Sequence, residues 1–145
     1  MEYRFTRSSG IASETHDDTC WTDRASAIAY GRGTHADDCA DGGFLYSAEV
    51  VDWDRIASWE EAVAAWADAG MATDPDTEPM VYADNQKRRN ALKAAGFAGM
   101  VYDDAGPENA YQHETVRVWD HSVLSIRDAV RVTADEIVEA WESLT

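Results

Sequence analysis

The sequence predicts a mixed α+β fold of five or six short strands and three or four helices. Two observations carry this. Ser58 with Glu61 and Thr133 with Glu136 form capping boxes, each opening a segment whose apolar residues recur at helical spacing. Short runs rich in β-branched and aromatic residues, "FLYSAEVV" at 44–51 and "FAGMVYDD" at 97–104 among them, lie near turn-forming residues and read as strands. There is no long repeat or low-complexity segment, and 145 residues suit a single domain spanning 1–145. A chain of this length should bury roughly 68–70% of its unfolded surface. Six Trp, six Tyr and three Phe supply bulk for the core.

Taken in order, "EYRF" at 2–5 is a strand, followed by the polar "TRSSG". "DTCWTD", 18–23, reads as a second brief strand or strand-like turn. In "DRASAIAYG" the helical spacing of Ala25, Ile28 and Ala29 predicts a helix, with Gly31 as its stop. "THADDCADGG", 34–43, is a polar loop, and 44–51 is the clearest strand of the first half. In the helix begun by Ser58, Trp59, Val63 and Trp66 share one face, so it packs through two indoles. "MATDPDTEP", 71–79, is a loop whose prolines forbid continued helix. "DNQKRRNALKAAG", 84–96, reads as a helix begun by Asp84 and ended by Gly96. It holds the basic cluster Lys87, Arg88, Arg89 and Lys93. After the strand at 97–104 come a turn-rich loop, "AGPENAY", and a strand at 114–119. "HSVLSI" is a further extended piece, 127–132 is open between strand and loop, and the Thr133 helix ends near Ser143.

Twenty-eight acids against twelve bases give a formal net charge of −16. Such a surface repels phosphate backbones and anionic membranes, so direct binding to nucleic acid or a membrane is not expected. Two readings of the acidity are open. One is a halophile-like surface whose self-repulsion is screened by high salt. The other is a functional acidity that mimics nucleic acid and occupies a basic groove. The acids are scattered and not massed in one run, which favours the first. No stretch approaches the ~20 apolar residues of a membrane span, and "MEYRFTRSSG" lacks the apolar run of a signal peptide. A soluble cytoplasmic protein is expected, with Cys20 and Cys39 reduced.

Three constellations could carry chemistry. "THDDTC" (15–20) and "THADDC" (34–39) share one pattern, so His16, Cys20, His35 and Cys39 could close a tetrahedral zinc site. Against this, the ligand order matches no zinc module, and two polar loops with small buried thiols explain the same residues. A cysteine nucleophile is disfavoured, because surrounding acids raise a thiol's pKa. The third is at the C-terminal end, where "YQHETVRVWD" (111–120) places Gln112 and Glu114 on one face of an extended chain. A carboxylate there can stabilise a developing cation or bond a sugar hydroxyl. Arg4 on the first strand has a fork of donors suited to phosphate. An ion-paired, purely structural Arg4 and Glu114 stand as the alternative.

The residues "YRFT" (3–6), "TCWTDRASAIAYG" (19–31) and "QHETVRVWD" (112–120) resemble, in order and in kind, three motifs of the ADP-ribosyltransferase superfamily. The connecting "LKAAGFAGMVYDD" and the following "HSVLSI" are similar to the ends of its phage-borne and toxin-like members. The resemblance implies a split β-sheet core and NAD as cofactor. Arg4 would contact NAD phosphate or ribose, with Thr6 and Ser8 lining the same loop. Trp21 and Thr22 would fall in the middle motif, and Tyr30 would stack on nicotinamide. Glu114 would be the catalytic glutamate, stabilising an oxocarbenium-like transition state, with Gln112 orienting the substrate. "TCWTD" departs from a Ser-Thr-Ser motif and "YRFT" lacks the glycine of a "YHGT" variant. In some phage-borne relatives an acid after the "GMVY"-like strand serves, which makes Asp103 or Asp104 the alternative.

The implied reaction is loss of nicotinamide from NAD, with ADP-ribose passing to an acceptor or to water. Electrostatic stabilisation and orientation would be the protein's share. A polyanionic cofactor needs Arg4 and Arg7 to focus a local positive field on so acidic a chain. The same charge favours a protein acceptor over a nucleic acid. A phage anti-defence protein, anti-CRISPR proteins included, or a toxin-type effector fits this description. The rival expectation is a non-enzymatic acidic interaction protein that blocks a basic host complex.

Overall fold

The computed structural model describes residues 1–7, 18–32 and 41–145. Among them the chain runs β1 (Glu2–Thr6), β2 (Thr19–Trp21), α1 (Arg24–Ala29), β3 (Gly43–Val50), β4 (Ile56–Ala57), α2 (Trp59–Asp68) and α3 (Pro79–Ala83). It continues with α4 (Gln86–Ala94), β5 (Gly99–Ala105), β6 (Gln112–Val118), β7 (Leu124–Ile126), β8 (Val130–Val132) and α5 (Ala134–Leu144). The fold is mixed α+β, with two four-stranded sheets.

In the first sheet β3 is central. β1 pairs antiparallel along one edge, and β7 and β8 share the other, opposite Ala48–Val50 and Gly43–Leu45 respectively. In the second sheet the order is β2-β6-β5-β4, antiparallel except for the parallel β4–β5 pair.

Alternation along the strands builds three apolar clusters. Trp21, Tyr46, Ala48, Val116 and Val118 meet between the sheets. Met100 and Tyr102 turn the other way, against Trp66, Ala83 and Leu92 of α2, α3 and α4. Tyr3, Phe5 and Leu45 pack on α1 and α5 through Ile28 and Ile137. Both capping boxes form as expected, at Ser58–Glu61 and Thr133–Glu136.

Four details differ from the sequence expectation. β4 was not anticipated: two residues carry no periodic signal, and it exists because it pairs with Gly99 and Met100. α3 makes a fifth helix, starting on Pro79 at the end of the expected loop. Proline at a first helical position gives up only an N–H that has no partner there. α4 is capped by Asn85, whose side chain accepts from the Arg88 amide, while the Asp84 carboxylate pairs with Arg117 instead. β6 begins at Gln112, two residues before the expected start at 114.

Candidate functional site

At β1 the first sheet meets the second through, among the described residues, one isolated bridge, where Tyr3 and Thr22 exchange backbone hydrogen bonds of 2.8 and 2.9 Å. At that junction a cleft of about 230 Å³ opens, lined in part by Arg4, Thr22, Tyr30, Asp104, His113 and Thr115.

Strand parity decides which residues of β6 face it. Val116 and Val118 are buried in the inter-sheet core, so His113, Thr115 and Arg117 take the opposite face. Their partners across the ladder, Asp104, Tyr102 and Met100, share that face.

His113, only 8% exposed, is the centre of a polar network. The Thr22 hydroxyl donates to the Glu114 carbonyl at 2.7 Å, and its oxygen lies 2.9 Å from His113 Nδ1. Nε2 lies 3.2 Å from the Tyr30 hydroxyl, which also donates to the Ala105 carbonyl at 3.2 Å. The Tyr30 ring meets His113 edge-on, with centroids 5.4 Å apart, and is 37% exposed. Burial, reinforced by the Asp104 charge, pushes the Tyr30 phenol well above its ordinary value, so it is a neutral donor. Tyr102 is pushed up chiefly by burial as well.

Arg4 donates through Nη1 to the Cys20 carbonyl at 3.4 Å, while its buried Nε has no hydrogen-bond partner among the described residues. A buried donor left unpaired is costly. Burial raises the Cys20 thiol more than Arg117 and Arg4 lower it, so it stays protonated and poorly nucleophilic. Behind the cleft, Asp18 Oδ2 is 2.7 Å from Arg89 Nε and 3.3 Å from Arg117 Nε. Asp84, at the cleft wall, is 2.7 Å from Arg117 Nη1.

Of the residues singled out from sequence, Arg4, Trp21, Thr22, Tyr30 and Asp104 line this cleft. Trp21 does so from a fully buried position, with its indole N–H donating to Thr19 Oγ1 at 2.8 Å. Thr6 ends β1 opposite Phe44 and does not line the cleft. Arg7 donates to the Gly31 carbonyl at 2.8 Å. Glu114, Gln112 and Asp103 are on the other face of the ladder, because they share the parity of core-facing Val116. Glu114 and Asp103 line a separate groove of about 390 Å³, and Gln112 is exposed. Ser8, and His16, His35 and Cys39 of the zinc pattern, lie outside the described residues. Among the described residues no cluster of His, Cys, Asp and Glu could hold a metal ion, and no helix is long and apolar enough to cross a membrane.

No protein-family model, curated protein or solved structure matches the chain. His113, Thr115 and Tyr102 were not singled out from sequence. The signal that finds them is parity: Val116 and Val118 fix the core face of β6, so its odd-numbered residues face the cleft.

Proposed function

We propose that the chain is an NAD-dependent ADP-ribosyltransferase acting on a protein target, of phage or toxin type, with the cleft beside the Tyr3–Thr22 bridge as its NAD site. One observation carries the reading: Arg4, Tyr30 and Asp104 converge on one cleft at the junction of two sheets. On this reading the two sheets correspond to the split-sheet core that the resemblance implies.

The residues present suit the ligand. Arg4 lines the cleft, and its guanidinium is the group that would bond a phosphate oxygen. Tyr30 has one ring edge fixed by His113 and remains partly open to a nicotinamide ring. About 230 Å³ is below the ~300–1,000 Å³ of pockets for whole drug-sized ligands, so it encloses the nicotinamide–ribose end alone. When bound, NAD supplies a glycosidic bond whose cleavage leaves positive charge on the ribose. Asp104, in the cleft, takes the role of the carboxylate beside that charge. Glu114 is not used for it.

NAD binding measured by calorimetry tests this assignment. Arg4→Ala is expected to weaken binding at least about tenfold, and Arg4→Lys to restore little of it, because an ammonium lacks the planar fork. Equal affinity in wild type and Arg4→Ala would remove the cleft from the account. The net charge of −16 favours a second reading, an acidic inhibitor of a basic partner. That reading requires inhibition of the partner without NAD, undiminished in Arg4→Ala.

A further inference from the structure

A second groove lies beside the β5–β6 ladder and shares Tyr102 with the lining of the cleft. It encloses about 390 Å³, and Trp53, Trp59, Asp103 and Glu114 are among the residues that line it. Trp53 is 51% exposed, a large apolar ring left in water. Trp59 is fixed from behind, edge-on to Trp66 with centroids 5.5 Å apart.

Asp103 stands directly opposite Glu114 in the antiparallel register, a rung on which like charges repel. Among the described residues no Lys or Arg lies within 4 Å of either carboxylate. Arg117, the cation nearest Glu114 in sequence, pairs with Asp18 and Asp84, and Arg55, two residues from Trp53, pairs with Asp120. The negative potential reaches β1: burial raises the Glu2 carboxyl, the N-terminal charge opposes the rise, and the Glu114 charge adds to it.

Opposed carboxylates and the exposed Trp53 indole are unfavourable in the free protein and complementary to a cation with a flat apolar face. A guanidinium has that shape: it forks onto carboxylates and stacks on indoles, whereas an ammonium does only the first well. We propose that this groove docks an arginine side chain presented by a surface segment of a partner protein. The groove shares Tyr102 alone with the lining of the cleft, and the proposal does not depend on NAD being the cleft's ligand.

The test is an NMR titration of the full chain, without NAD, using the blocked peptide Gly-Gly-Arg-Gly-Gly and its lysine and norleucine analogues. Saturable shifts are expected at the indole N–H groups of Trp53 and Trp59 and at the amides of residues 103 and 114. Lysine should bind several-fold more weakly and norleucine not measurably. Asp103→Asn with Glu114→Gln should weaken the arginine peptide about tenfold or more, and Trp53→Ala should weaken it separately. The thermal midpoint of the carboxylate variant should equal or exceed wild type, which separates lost docking from lost folding. Shifts spread evenly over the acidic surface, arginine and lysine binding alike, or unchanged affinity in the carboxylate variant would each overturn the proposal. None of these results bears on NAD binding in the cleft, so the two readings fail independently.

Discussion

Asp104 stands directly opposite His113 in the β5–β6 ladder, and both face the cleft. The next rung, Asp103 opposite Glu114, faces away into the tryptophan-walled groove. Carboxylates adjacent in sequence are thereby divided between two sites, because a strand turns successive side chains to opposite faces. Asp104, and not Glu114, has Arg4 and Tyr30 as fellow residues of one cleft.

His113 is expected to hold the cleft wall together. His113→Ala leaves Thr22 without the partner at 2.9 Å and Tyr30 without the one at 3.2 Å. Thr22 keeps the Glu114 carbonyl and Tyr30 the Ala105 carbonyl, so the loss is that of hydrogen bonds worth about 0.5–1.5 kcal/mol each. A urea denaturation series should show a loss of that size with the slope unchanged, since the sheets remain.

His121 should make stability fall on acidification. Burial lowers its pKa below the ordinary 6.5, although Asp120 and Asp18 pull upward. Thr19 Oγ1, which accepts from the Trp21 indole N–H, also lies 2.8 Å from His121 Nε2. In the window between the lowered value and 6.5 the unfolded chain binds more protons than the native one. The contribution is therefore complete above about 6.5 and is lost as pH falls through the folded-state value. Unfolding midpoints compared at several pH values should show a steeper decline for wild type than for His121→Asn.

Salt should stabilise the chain. With a net charge of −16, self-repulsion opposes the compact state, and raising ionic strength to about 1 M shortens the screening length to about 3 Å. The thermal midpoint is expected to rise steadily from low salt to 1 M sodium chloride. A midpoint that falls or stays flat would argue against the halophile-like reading of the surface.

The helices were largely legible in the sequence, because a capping box is a local signal: Ser58–Glu61 and Thr133–Glu136 each cap the helix they announce. The first helix likewise lies where Ala25, Ile28 and Ala29 placed it, and Arg4, Thr22 and Tyr30 do share a cleft. What sequence hid was set by distant partners. Asp84 and Asn85 can each cap a helix, and the choice fell to Asn85 because Arg117 engages Asp84. β4 depends on a parallel partner some forty residues further along the chain. The facing of Glu114 was legible in principle. Starting the strand at 114 drew attention to the Gln112–Glu114 face, while the parity of Val116 and Val118 assigns that face to the core side.

The most direct test of the central claim is nicotinamide release from NAD by wild type, Asp104→Asn and Glu114→Gln, with an acceptor-free hydrolysis assay as readout. The account predicts release by wild type, a fall of about 10²–10³-fold in Asp104→Asn, in the range seen when one preorganised electrostatic group is removed, and near-wild-type release in Glu114→Gln. Release abolished in Glu114→Gln and preserved in Asp104→Asn would contradict it.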